Sequence, residues 1–166
     1  MFTNPQPSDE HLAEIYNEHY FLGADTDEGR KSTREMKRAT AREYLGEIHR
    51  YGGAEGGRLL EVGCGDGDFL VEAEAAGFLV TGVELAPAAC EQAGARLKHG
   101  EVVCGLLEKS GLPEEQFDLC VLSDVIEHVR DPLAFLRNIH RLLKPNGAIG
   151  AARLRTMFRS YRDGFR

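Results

Sequence analysis

Apolar positions divide the chain into a front part with helical spacing and a back part where short apolar runs alternate with helical stretches. Residues 1–8, with Pro5 and Pro7, predict a loose start. Leu12, Ile15, Tyr16, His19 and Tyr20 then recur at the three-and-four spacing of one helix face, which predicts a short amphipathic helix. Gly23 to Gly29 is a polar, acidic break. Met36, Thr40, Tyr44, Leu45 and Ile48 form a second helical stripe, ended by Gly52-Gly53, since glycine suits the left-handed residue that closes a helix. Residues 1–56 are expected to form an N-terminal helical cap on a domain spanning residues 57–166.

From residue 58 the period changes. Leu59-Leu60-Glu61-Val62 predicts a buried strand that runs into Gly63, Gly65 and Gly67, and Phe69 to Ala76 predicts a helix stopped by Gly77. Phe78 to Val83 reads as a second strand. Pro87 opens the next helix, where its missing N–H costs little, and that helix is expected to reach about Lys98. Val102-Val103 is a brief third strand and Phe117 to Leu122 a fourth. A helix from about Pro132 to Leu143, a Pro145-Asn146-Gly147 turn and a fifth strand beginning at Ala148 to Ala151 follow. Strands alternating with helices predict an α/β, doubly wound, mostly parallel sheet of about five strands.

The length and composition change little in this picture. A chain of 166 residues, 42% apolar and 28% charged, fits one soluble globular unit with a sizeable core. No apolar run approaches the ~20 residues of a membrane span, and residues 1–25 lack the apolar stretch of a signal peptide, so a cytoplasmic location is expected. The net charge of −7 does narrow the partners. Residues 57–151 carry 8 basic and 15 acidic groups, and such a body repels a phosphate backbone, so nucleic acid is not the expected substrate. Cys64, Cys90, Cys104 and Cys120 lie far apart with no CxxC pair, which predicts reduced thiols rather than a zinc ribbon or a disulfide framework.

The chemistry concentrates where the first strand ends, in Glu61-Val62-Gly63-Cys64-Gly65-Asp66-Gly67. Glycines there let the backbone turn tightly and approach a ligand closely. A dinucleotide site needs GxGxxG, whose turn aims a helix N-terminus at a pyrophosphate. This loop is GxGxG, with Glu61 before it and Asp66 and Asp68 beside it. Three carboxylates would repel a pyrophosphate but suit a ligand with sulfonium and ammonium charges. The second strand ends at Glu84, 23 residues after Glu61, where a carboxylate can accept both hydroxyls of a ribose.

Leu59 to Gly67 resembles motif I of the class I S-adenosylmethionine-dependent methyltransferases, and Val83-Glu84-Leu85 resembles the acidic end of their second strand. Phe117 to Leu122 is similar to their fourth strand, with Ile126-Glu127-His128-Val129 and Asp131-Pro132 after it, and Leu142 to Gly147 is similar to their approach to strand five. The likeness covers roughly residues 58–150 and is nearest the small-molecule branch of quinone-biosynthesis and sugar methyltransferases. It implies a Rossmann-like fold and S-adenosyl-L-methionine as cofactor. Gly63, Cys64, Gly65 and Gly67 would lie against the methionine part of the cofactor, and Glu61 would orient its ammonium through water. Glu84 would hold the ribose and Leu85 would flank the adenine, with Ser123 at the end of strand four also on the cofactor side. Where the family has an acidic step after strand three this chain has Gly105-Leu106, and Glu108 is the candidate substitute.

Asp124, Glu127 and His128 stand at i, i+3 and i+4 after the fourth strand, which on a helical turn places them on one side. Three readings stay open. Glu127 and His128 can simply orient the loop. His128 can act as general base toward a hydroxyl acceptor, because imidazole titrates near neutrality. The trio can also ligate a divalent cation, although no metal is assigned to the chain. The resemblance implies a further helix and two antiparallel strands beyond strand five, and the 19 residues after Gly147 are too few for them. Leu154, Met157, Phe158, Tyr161 and Phe165 recur at helical spacing among five arginines, which predicts a last helix on a five-stranded core. A basic helix for a membrane surface or acidic partner is the alternative. The fifth strand would then be an exposed edge open to pairing in a homodimer. The expected function is methyl transfer to a small-molecule acceptor. The alternative is a non-catalytic binding module, since fold and motif alone do not establish turnover.

Overall fold

The computed structural model describes residues 27–52 and 56–152. The expected helix over Leu12 to Tyr20 and the expected C-terminal helix lie outside the described residues. A long helix, α1 (Asp27–Gly52), precedes five strands: β1 (Gly57–Val62), β2 (Phe78–Glu84), β3 (Glu101–Cys104), β4 (Phe117–Ser123) and β5 (Leu143–Ala152). Between them run α2 (Asp68–Ala75), α3 (Pro87–Arg96), short 3₁₀ turns at Leu107–Lys109 and Ile126–His128, and α4 (Pro132–Leu142). The helix expected from the Met36 to Ile48 stripe starts earlier than that stripe, at Asp27, so the anticipated break up to Gly29 is partly absorbed into α1.

The sheet order is β3-β2-β1-β4-β5 and every described pairing is parallel. The order reverses between β1 and β4, which opens a crevice at the carboxyl ends of those strands. Alternation along the strands feeds two cores, one on each face. Leu60, Val62, Val83, Cys120 and Leu122 pack with Phe135, Ile139 and Leu142 of α4. Leu59, Leu119, Val121, Phe78 and Val80 pack with Phe69, Leu70 and Ala73 of α2 and with Ala41 of α1. Leu59, Leu60, Leu70 and Ile139 are fully buried, each contributing roughly 1.5–3 kcal/mol by leaving water.

Two boundaries differ from expectation for a physical reason. Strand β5 begins at Leu143 rather than after the Pro145-Asn146-Gly147 turn. Phe117 pairs with Leu143 and Leu119 already pairs with Ala148, so the turn is looped out of the strand as a bulge with Asn146 at φ 71°. Lys144 at the bulge turns its Nζ to both carboxylate oxygens of Asp118, 2.8 Å each. Helix α3 ends at Arg96, two residues short of Lys98. Glu74 accepts the backbone N–H groups of Lys98, His99 and Gly100, and so holds them in a loop. All four cysteines are free thiols: Cys64, Cys90 and Cys120 are buried and Cys104 is exposed.

Candidate active site

The carboxyl ends of β1 and β2 carry a shelf of carboxylates beside the glycine loop, with Glu61, Asp68 and Glu84 buried. Gly63, Gly65 and Gly67 all adopt positive φ (73°, 52° and 79°), the left-handed region where a side chain is strained. Gly63 is also a place of close approach. A Cβ there would come within 2.4 Å of Val125 Cγ2, so the segment after β4 closes directly over the glycine loop. From below, Cys64 Sγ and Leu70 fill the space that a Cβ on Gly82 of β2 would need. A glycine in mid-strand is the sequence signal for such close packing.

Glu61, the penultimate residue of β1, is 3% exposed, and its Oε2 has no hydrogen-bond partner. Burial, then the charges of Glu84, Asp68 and Asp66, push its carboxyl well above the usual carboxylate range. Glu84 closes β2 and is 5% exposed. Its Oε2 accepts the Gly65 N–H and its Oε1 accepts the Ala86 N–H, both at 2.9 Å. The residue expected at the ribose thus also fixes the shape of the glycine loop, a role the spacing alone did not reveal. The Cys64 thiol is pushed up, mainly by burial, and stays protonated at neutral pH.

The remaining candidates stand around this shelf. Leu85 is half-buried directly after Glu84, Ser123 is half-buried at the last position of β4, and Glu108 is exposed on the 3₁₀ turn after β3. Asp124, Glu127 and His128 are all exposed. The expected helical turn spans only Ile126–His128, and Asp124 lies outside it at φ 54°. A non-glycine residue in that region carries roughly 1–2 kcal/mol of strain, and such strain gathers at functional sites. Among the described residues no group of three His, Cys, Asp or Glu side chains comes together as metal ligands, so the cation reading of the trio has no geometric support there. The structure therefore gathers Glu61, the glycines and Glu84 into one unit and leaves Glu108, Glu127 and His128 exposed on the turns that follow β3 and β4.

A family model described as a methyltransferase domain matches residues 60–150, more than half of the chain and the whole of this shelf. The chain belongs to the S-adenosylmethionine-dependent methyltransferase family. It is similar to ubiquinone biosynthesis O-methyltransferases, with 38% identity over 117 residues to that of Ruegeria pomeroyi (64% of this chain, 46% of the relative). To that of Histophilus somni the identity is 32% over 114 residues (63% and 48%). The chain thus spans about half the length of the curated relatives it matches. Among solved structures, an S-adenosylmethionine-dependent methyltransferase from Mesorhizobium loti matches with a TM-score of 0.55 and 30% identity, over 58% of this chain and 46% of that one. A Haemonchus contortus phosphoethanolamine N-methyltransferase in complex with S-adenosylhomocysteine shares the fold, with a TM-score of 0.60 and 24% identity over 66% of this chain and 27% of that one. Solved methyltransferase structures thus share the fold of this chain.

Proposed function

We propose that the chain binds S-adenosyl-L-methionine at the carboxyl ends of β1 and β2 and transfers a methyl group to the hydroxyl of a small-molecule acceptor at the end of β4. The observation that carries this reading is Glu61. A buried carboxylate with an unpartnered oxygen beside Glu84, Asp66 and Asp68 is costly on its own, and a cationic ligand removes that cost. The residues therefore fit the group by charge: buried carboxylates beside the glycine loop favour a cationic ligand. When bound, the cofactor supplies a methyl group already activated on a sulfonium.

The chain's own residues then bind, orient and manage a proton. Glu61 orients the ammonium through water, and the backbone of Gly63 and Gly65 lies against the methionine part. Glu84 uses two acceptor sites on Gly65 and Ala86, and its remaining lone pairs are left for the ribose hydroxyls. Leu85 flanks the adenine, Glu108 accepts from the adenine amine in place of the acidic step after β3, and Ser123 borders the crevice. His128 takes the acceptor's proton, with Asp124 and Glu127 setting its turn. The O-methyltransferase names of the relatives favour a hydroxyl as the accepting group.

Calorimetric titration of the whole chain with S-adenosylmethionine and S-adenosylhomocysteine, beside Glu84→Ala, tests the reading. Micromolar binding that weakens about a hundredfold or more in the variant is expected, because two buried charge-assisted hydrogen bonds to the loop are lost. A folded chain that binds neither ligand would sink the enzyme reading and leave an interaction module.

A further inference from the structure

We propose that Arg96 is a positioning residue for the cofactor site: from the last turn of α3 its guanidinium clamps the glycine loop in the form the cationic ligand needs. The inference rests on the cofactor reading above. One nitrogen of the guanidinium, Nη1, donates to the backbone carbonyl of Asp66, inside the loop, and lies 3.9 Å from Asp66 Oδ2. The other, Nη2, donates to Asp68 Oδ1 at the first residue of α2. A guanidinium is a rigid planar fork, so one side chain fixes both the loop's carbonyl and the helix that follows it.

The residue between those two anchors is Gly67, at φ 79°. Its N–H closes a turn on the Cys64 carbonyl at 3.0 Å. A Cβ on Gly67 would stand 2.9 Å from Ala93 Cβ, and Ala93 lies three residues before Arg96 on the same face of α3. Helix α3 therefore backs the loop by contact at Ala93 and by hydrogen bonds at Arg96. Glu84 holds the other side of the loop through the Gly65 N–H. Lys37 of α1 also approaches, with Nζ 3.5 Å from Asp66 Oδ1 and 4.0 Å from Asp68 Oδ2. The Lys37 side chain is 44% exposed and that of Arg96 only 21%, so solvent screens the lysine and the arginine carries the clamp.

Arg96 also sets the charge of the site. Asp66 and Asp68 both add to the negative field on Glu61. Pairing them with Arg96 offsets part of that field. Loss of Arg96 then has two separable consequences. A loosened loop weakens the sulfonium S-adenosylmethionine and the uncharged thioether S-adenosylhomocysteine alike. The lost positive charge strengthens the sulfonium relative to the thioether, so an electrostatic role alone would leave the thioether's affinity unchanged.

The experiment compares the whole chain with Arg96→Met, Arg96→Lys and Lys37→Met by calorimetry with both ligands and by amide hydrogen exchange. Arg96→Met is expected to lose about tenfold or more in affinity for both ligands, with Arg96→Lys recovering part and Lys37→Met staying within about threefold. Exchange at the Gly65 and Gly67 amides should rise by about tenfold while the amides of β4 keep their protection. Unchanged affinity of a folded Arg96→Met for the thioether, or exchange raised equally throughout α2, β2 and β4, would each overturn the clamp. If the unaltered chain binds neither ligand, the cofactor reading fails on its own account. Exchange then decides the clamp: faster Gly65 and Gly67 amides in Arg96→Met uphold it, and unchanged ones overturn it.

Discussion

The two halves of the crevice are built by opposite means. At the ends of β1 and β2 Glu61, Glu84 and Gly67 are buried, and partners fix two of them: Glu84 by two backbone N–H groups, Gly67 by Ala93 and the Cys64 carbonyl. At the end of β4 the turn Ile126–His128 is only three residues long and has no buried residue, and Asp124, Glu127 and His128 are all exposed. The contrast fits a division of labour. A donor common to a family can be met by a rigid, pre-shaped backbone, whereas an acceptor that varies must be met by side chains on a loop. The halves touch at Val125 over Gly63.

The sharpest break of this comparison is His128→Gln. Turnover of small hydroxyl acceptors, read as S-adenosylhomocysteine release, should fall about 10²- to 10⁴-fold while S-adenosylmethionine binding is unaltered. Equal loss of both would mean that the halves are not separate, and unchanged turnover would remove the base.

Substitutions on the rigid side should act on stability. Gly63→Ala meets both a left-handed backbone and Val125 Cγ2, and should cost about 2 kcal/mol in denaturant unfolding. Gly94→Ala, on α3 with nothing within 4 Å of its Cβ, should stabilise by up to ~1 kcal/mol. A matched small effect at both sites would show that the loop is not tightly built.

Glu61→Gln separates function from stability. Because the folded-state carboxyl titrates well above the usual range, the ligand-free chain loses stability as pH rises from the ordinary carboxylate range toward that raised value. At neutral pH the glutamine variant should therefore be more stable than the parent and less dependent on pH, yet bind S-adenosylmethionine more weakly. Thermal melts between pH 4 and 8 would check it, and a variant less stable at neutral pH would contradict the buried charge.

The smallest effect is expected at the foot of β4. Asp118 is held below its usual range by its hydrogen bond from Lys144 and by the Arg58 N–H, so its contribution is present above the ordinary carboxylate pKa and fades as pH falls through the lowered value. Both side chains are a third or more exposed, so Lys144→Met should cost less than ~1 kcal/mol in a chemical melt near neutral pH, and nothing once Asp118 is protonated. A larger cost would mean that the β5 bulge depends on this pair.

Much of the fold was legible because burial on two faces of a parallel sheet writes itself as short apolar runs. Leu59-Leu60, Phe78 to Val83 and Phe117 to Leu122 could hardly be anything else at their spacing. Glu61, the glycines and Glu84 were legible as a set, since charge and left-handed turns are local properties. The bulge at Lys144 to Gly147 was not, because a turn signal does not say on which side of a strand's start it falls. Arg96 and Lys37 were invisible for a related reason: a lone basic residue on a helix has no pattern, and its partners lie 28 to 31 positions away in the chain. The sequence by itself determined the order of elements, the parallel sheet and the charge of the glycine loop, all set by local conformation and periodicity. Only the tertiary structure decided that Glu84 grips Gly65, that Val125 covers Gly63 and that α3 braces the loop, because each is a contact between segments that meet only when the sheet has formed.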